Sequence, residues 1–313
     1  MDEFICPEGL GNQFPVLIQK NLAAIEMAFN LEISLRGNKI MFSGDAPQAK
    51  KFKKYLLHLS KIAAENGGLH NHEILFSLNL VGDGKLDELQ ENIIKKHIIK
   101  VDGKEVSPKT FNQQAYVQAI KDNDMIFGIG PAGTGKTFLA IAMALSSLIN
   151  KKVERIVLTR PVVEAGEKLG FLPGDIQQKI NPYLRPLYDA LYYLIGFEKT
   201  AELIEKGIIE IAPLAYMRGR TISDAFIILD EGQNTVDSQM KMFLTRFGAN
   251  SRVVVTADIT QIDLSEPKKS GIFKVIEILK NVTGIAVIHL TMKDVVRHPL
   301  IQKIIAAYER AEK

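Results

Sequence analysis

The sequence is short of covalent cross-links, of long apolar runs and of net charge. Its one cysteine, Cys6, cannot form a disulfide within the chain. No uncharged apolar stretch approaches the roughly 20 residues that a membrane-spanning helix needs, the nearest being Phe138 to Ile149. The opening residues lack the charged-then-apolar order of a signal peptide. These shortages predict a soluble chain in a reducing, cytoplasmic setting with no membrane partner. Charge is nearly balanced, since 39 Lys and Arg against 36 Asp and Glu leave +3. A pI near 8.7 falls below the value of about 9 that marks dedicated nucleic-acid modules. Charge alone therefore neither requires an RNA partner nor excludes one. Internal repeats and low-complexity tracts are also missing.

What is present is a globular composition, 46% hydrophobic and 24% charged over 313 residues, enough for two domains with real cores. The texture changes near Val101 to Thr110, where "VDGKEVSPKT" supplies an Asp-Gly turn and a Ser-Pro break. Before that joint, "PVLIQKNLAAIEMAF" has helical periodicity, "LEISLRGNKIMFSG" reads as two strands around a Gly-Asn turn, and "APQAKKFKKYLLHLSKIAAE" is an amphipathic helix. Residues 1–105 are thus expected to form a small α+β domain. From Gln113 onward, short β-branched runs such as "DMIFGIG", "VERIVLTR", "AFIILD" and "SRVVVTAD" alternate with helix-length stretches. Such alternation predicts an α/β domain over residues 106–313, with a parallel sheet covered on both faces by helices. Ligands in such sheets sit at the carboxyl ends of the strands, where most of the polar signatures fall.

The first signature is "GPAGTGKT", Gly130, Pro131, Ala132, Gly133, Thr134, Gly135, Lys136 and Thr137, which fills G-x-x-x-x-G-K-[ST] directly after an apolar strand and before a strong helix. Backbone N–H groups must wrap closely around phosphate oxygens, and side chains at Gly133 or Gly135 would obstruct them. Lys136 supplies a charge to the β and γ phosphates, Thr137 a hydroxyl ligand for Mg²⁺, and the helix N-terminus a partial positive charge. A nucleoside triphosphate is the predicted ligand.

Asp230 and Glu231, ending the buried run "AFIILD", are placed to complete that site: Asp230 on Mg²⁺ through water, Glu231 on the attacking water. Hydrolysis, as opposed to binding, rests on this pair. Asp258, after "VVVTA", followed by Gln261, admits two readings at this level, a sensor of the γ-phosphate or a helix N-cap. Arg220, with Arg218 in "AYMRGRTISD", is a candidate arginine finger or a surface residue paired with an acid. Arg297 and His298 are weaker candidates for the same role. In "INPYLRPLYDALYYL", Tyr183, Tyr188, Tyr192 and Tyr193 with Arg185 either stack bases or form an aromatic core face.

Taken together, "GIGPAGTGKT", "TRPVVEAGEKLGFLPGD", "PYLRPLYDAL", "YMRGRT", "IILDEGQN" and "TADITQIDL" resemble the PhoH-like proteins, over about Val106 to Lys313. The resemblance implies a RecA-like P-loop core similar to the first core of superfamily 1 helicases. It would make Gln113 the glutamine that contacts adenine, favouring ATP. Thr159 to Pro161 would touch nucleic acid, and Asp258 and Gln261 would sense the γ-phosphate. Residues 1–105 resemble the KH-like region of bacterial members, but Arg36-Gly37-Asn38-Lys39 stands where a GXXG loop would grip RNA.

The chain holds one such core and lacks an added acidic nuclease domain, so the resemblance implies a homo-oligomer, with a ring possible, and no intrinsic RNA cleavage. It further implies an ATPase in RNA processing or ribosome maturation, beside an endoribonuclease or a ribosome-associated partner. The alternative is an ATP-dependent protein-assembly switch that never touches RNA. A small-molecule kinase would use the same loop but leaves no acceptor or lid segment in the sequence.

Overall fold

The computed structural model describes residues 2–7, 13–66, 98–162, 176–264 and 266–296, with isolated positions between 69 and 82. The chain divides into two compact units, Met1–Lys96 and His97–Lys313.

In the first unit, strands β1 (Asp2–Ile5), β2 (Glu32–Arg36) and β3 (Lys39–Ser43) form an antiparallel sheet in the order β1-β3-β2. Arg36 pairs with Lys39, so Gly37 and Asn38 alone make the turn, and Gly37 takes the φ of +59° that the tight turn requires. Helices α1 (Gln13–Lys20), α2 (Leu22–Phe29) and α3 (Ala46–Asn66) complete the α+β unit. Phe29, Phe42, Phe52 and Tyr55 meet with ring centroids 5.0–6.1 Å apart and form its core. The lysines Lys50, Lys53 and Lys54 lie on the exposed side of α3, opposite buried Phe52, Tyr55, Leu56 and Leu59. That is the amphipathic pattern read as structure.

The second unit opens with a small hairpin, β4 (Ile99–Val101) and β5 (Lys104–Val106), turned by Asp102 and Gly103. The hairpin buries Ile99, Val101 and Val106 in the core of this unit, so the structural division lies a few residues ahead of the turn signals in the sequence. Helix α4 (Phe111–Asp122) follows, capped by Thr110, whose hydroxyl accepts from the Gln113 N–H.

The sheet then builds from β6 (Met125–Ile129), β7 (Arg155–Arg160), β8 (Ile209–Pro213), β9 (Ala225–Leu229), β10 (Arg252–Ala257) and β11 (Ile285–His289). Their order is β11-β6-β10-β9-β7-β8, and every pairing is parallel. The expected α/β architecture is present. Alternation along each strand splits the apolar side chains between two faces. Ile126, Ile156, Leu158, Phe226, Ile228 and Val254 pack under α4, α5 (Lys136–Ile149), α6 (Ile176–Ile195) and α7 (Phe197–Glu205). Phe127, Val157, Ile227, Leu229, Val253 and Val255 pack against α8 (Asp237–Leu244) and α9 (Gly271–Leu279). Burial on both faces explains why the central strands read as unbroken apolar runs.

On α6, Leu184, Leu187, Leu191 and Leu194 fill the core, while Tyr188 and Tyr192 are half-buried and Tyr193 is exposed. The core face of that helix is therefore made mainly by leucines, with Tyr188 partly buried against it. No helix among the described residues is long and apolar enough to cross a membrane.

Candidate nucleotide-binding site

Strand order decides which loops meet. With β6, β10, β9 and β7 side by side, Gly130, Asp258, Asp230 and Arg160 fall in a row along the carboxyl edge of the sheet. The row is stitched by main chain: Gly130 N–H donates to the Ala257 carbonyl at 3.0 Å, and Asp230 N–H to the Thr159 carbonyl at 2.9 Å.

The loop from Gly130 to Thr137 leaves β6 and enters α5. Gly133 and Gly135 both sit at φ +80°, where an L-residue with a side chain pays about 1–2 kcal/mol. A Cβ on Gly130 would lie 2.5 Å from the Leu290 carbonyl oxygen, so that glycine is required by close approach. The Lys136 ammonium donates to the carbonyls of Gly130 at 2.6 Å and Pro131 at 2.8 Å. Burial lowers its pKa, and the nearby carboxylates of Asp258, Glu231 and Asp230 partly restore it.

Thr137, the second residue of α5, donates its hydroxyl to Asp230 Oδ1 at 2.6 Å, and Thr256 donates to the same oxygen at 2.6 Å. Asp230 is 3% exposed. Glu231 follows in the left-handed conformation, at φ 55°, ψ 41°. A non-glycine residue held there costs about 1–3 kcal/mol, and the turn that follows supplies the restraint. Gln233 is fully buried; its amide donates to the Glu231 carboxylate and to the Gln261 carbonyl at 3.0 Å, and accepts from the Asp258 N–H at 2.9 Å. Gln233 thus ties the Glu231 turn to the segment that follows β10.

The Arg160 guanidinium lies 3.1 Å from Glu231 Oε1 and 3.9 Å from Asp230 Oδ2, and donates to the Tyr183 carbonyl on α6 at 2.8 Å. Burial and the Asp230 charge raise the Glu231 pKa, against the opposing pull of Arg160, Gln233 and Lys136. Asp258 Oδ1 accepts from the N–H and hydroxyl of Thr260, while its Oδ2 is buried and finds no hydrogen-bond partner among the described residues. No helix starts at Asp258 among the described residues, so in place of a helix N-cap one oxygen caps a turn, and the other is left over. Lys136, Thr137, Asp230, Glu231, Asp258 and Gln261 line one cavity of about 260 Å³ with the loop glycines. Paired amides in left-handed turns, a buried ammonium, a hydroxyl beside a carboxylate and an unpartnered carboxylate oxygen fit a polyphosphate carrying a hydrated divalent cation.

Some sequence candidates lie elsewhere. Gln113 is buried beneath the loop, donating to the Thr134 carbonyl at 3.0 Å and accepting from the Lys109 N–H at 2.6 Å. Arg220 forms a bidentate pair with Glu210 at 2.5 and 2.7 Å and does not line the cavity. Arg218 is exposed. Arg297, His298 and most of the segment after Pro161, residues 163–175, lie outside the described residues. Conversely, Arg160 and Gln233 join the site without having been singled out for it; Arg160 is signalled only by ending β7, and Gln233, in the short turn after β9, has no such signal. Thr256, at the end of β10, joins them.

A model of the PhoH-like protein family matches residues 105–309. The chain belongs to the PhoH-like protein family. Relatives agree over nearly its whole length. A PhoH-like protein of Bacillus subtilis is 46% identical across 99% of this chain and 95% of its own. One of Mycobacterium tuberculosis strain H37Rv is 48% identical across 94% of this chain and 83% of its own. A Sulfolobus solfataricus SWI2/SNF2 ATPase core in complex with dsDNA aligns at a TM-score of 0.34 and 11% identity, over 58% of this chain and 44% of that one, too slight a likeness to bear on function. The PhoH-like membership and the loop geometry together make the second unit a P-loop ATPase fold, with the candidate cavity at the carboxyl edge of its sheet.

Proposed function

We propose that this PhoH-like chain is a Mg²⁺-dependent ATPase whose hydrolysis cycle serves RNA metabolism, in RNA processing or ribosome maturation. The observation that carries the hydrolase reading is the meeting of Thr137, Asp230 and Glu231 at the mouth of the phosphate loop, with Thr137 on Asp230 at 2.6 Å. When bound, the divalent cation supplies positive charge to the β and γ phosphates; Thr137 and Asp230 are the residues that would hold it, Asp230 through water. Loop amides and Lys136 bind and orient the triphosphate. Glu231 accepts a proton from water as its oxygen bonds to the γ-phosphorus, and the bond to the ADP oxygen breaks with its electron pair leaving on ADP. A carboxyl raised by burial is a stronger base for that transfer than an exposed one. Asp258 and Gln261 are suited to sense whether the γ-phosphate is present.

Support for RNA comes from the family and from the helicase-like order of its signatures. A single core needs neighbours to complete a helicase-like site, which favours a homo-oligomer acting beside an endoribonuclease or ribosome-associated partner in the cytoplasm. One observation favours the second reading, an ATP-dependent assembly switch: Gly37 and Asn38 close a tight hairpin where an RNA-gripping loop would have to open. The deciding measurement is the ATPase rate with and without single-stranded RNA, with Lys136→Ala as control. A several-fold stimulation supports the RNA reading; a rate indifferent to RNA across lengths and salts overturns it and leaves the switch.

A further inference from the structure

The phosphate loop is held from behind by a segment to which the reaction gives no role. After β11 the chain runs Leu290 to Val296 across the back of the loop. Leu290 N–H donates to the Ile129 carbonyl at 2.7 Å, and Val296 N–H to the Gly133 carbonyl at 3.0 Å. Gln113 holds the next loop carbonyl, that of Thr134.

A trans peptide is planar, and its C=O and N–H point in opposite directions. Fixing the Gly133 carbonyl outward therefore fixes the direction of the Thr134 N–H, and fixing the Thr134 carbonyl fixes that of the Gly135 N–H. These are donors of the kind that wrap a phosphate. Two anchors on the outside of the loop thus set the aim of two amides on the other side of the same peptide planes.

Asp294 joins the two anchors. It is 2% exposed, and its carboxylate accepts from Thr110 Oγ1 at 2.5 Å, Asn112 Nδ2 at 2.8 Å, and the N–H and hydroxyl of Thr291 at 2.6 and 3.1 Å. Its own carbonyl accepts from Gln113 Nε2 at 3.4 Å. One buried carboxylate therefore ties the start of α4, which carries Gln113, to the turn that carries Val296. Sequence distance gives no hint of this, since Thr110 and Asp294 are 184 residues apart.

We propose that Asp294 is a positioning residue for phosphate binding, acting through Gln113 and Val296 on the Thr134 and Gly135 amides. The inference rests on the loop being the triphosphate site. On this view Gln113 spends its side chain on main-chain atoms of its own protein, Lys109, Thr134 and Asp294, and contributes to affinity through the loop and not through the base.

The test is the affinity of the full chain for ATP, for GTP and for base-free tripolyphosphate, each with Mg²⁺, in wild type, Asp294→Asn and Asn112→Ala. Removing charge-assisted bonds from a buried carboxylate is expected to weaken all three ligands about tenfold or more in Asp294→Asn, equally within about twofold. The turnover number at saturating ATP should stay within about twofold of wild type. Asn112→Ala, which removes a single donor, should weaken all three in the same direction by a smaller factor and is read alone if Asp294→Asn does not fold. An unchanged affinity beside a lowered melting temperature overturns the proposal, as does a loss confined to ATP, which would assign the residue to base recognition. Failure of the wild type itself to bind any of the three would instead overturn the nucleotide-site reading.

Discussion

Thr137 and Asp230, 93 residues apart, share a hydrogen bond of 2.6 Å between the first turn of α5 and the end of β9. That contact brings the phosphate loop and the acidic strand end into one site.

Removing the ammonium should test the anion site most directly. Lys136→Ala is expected to weaken ATP binding by at least about tenfold and to abolish measurable hydrolysis, because a buried charge-assisted contact is lost. Titration calorimetry and a phosphate-release assay read the two effects. Wild-type affinity in the variant would remove Lys136 from the site.

Glu231→Gln should bind ATP as the wild type does while its turnover falls by about 10²–10⁴, the usual worth of a general base. The pH dependence carries a sign. Burial and Asp230 raise the carboxyl above its ordinary value, so the folded protein binds more protons there than the unfolded chain, and stability falls as pH rises through the window between the two pKa values. Glutamine does not titrate. The melting temperature of Glu231→Gln relative to wild type should therefore increase from acidic toward neutral pH, and a difference flat across that range would contradict the raised pKa.

Arg160 sits 3.1 Å from the same carboxylate and opposes the upward shift. In Arg160→Ala the acid limb of the turnover-against-pH profile should move to higher pH. Arg160→Lys keeps the charge but not the fork that also reaches Tyr183, so it should restore the limb only in part. An unmoved limb in Arg160→Ala would separate Arg160 from the chemistry.

Arg220 clamps Glu210 on the edge strand, and both side chains are about one-third exposed. The expected stability cost of Arg220→Ala is small, about 0–1 kcal/mol by chemical denaturation, with hydrolysis within about threefold of wild type. A loss of turnover near a hundredfold at unchanged affinity, growing as protein is concentrated, would make it a finger reaching a neighbouring subunit.

Much of this was legible in the sequence because it depends on local pattern. "MIFGI" followed by "GPAGTGKT" and a long apolar helix names its own strand, loop and helix, since glycine at φ +80° and an apolar run buried on both faces leave few alternatives. Asp230 and Glu231 were readable for the same reason, as polar residues that end such a run. The tyrosines of α6 were not, because helical spacing places both leucines and tyrosines on recurring faces and only packing chooses which face turns inward. Leucine fills the core there, and the tyrosines are half-buried or exposed beside it.

Sequence by itself determined the α/β alternation, the phosphate loop and the strand-end acids, because strand period, glycine freedom and residue chemistry act over a few neighbouring positions. Tertiary structure alone decided that β10 and β9 lie between β6 and β7, and hence that Asp258, Asp230 and Arg160 share one edge with Gly130. It likewise turned Arg220 toward Glu210, sank Gln113 beneath the loop and brought Asp294 to Thr110. Strand order and long-range hydrogen bonds depend on how whole elements pack, and no stretch of neighbouring residues carries that information.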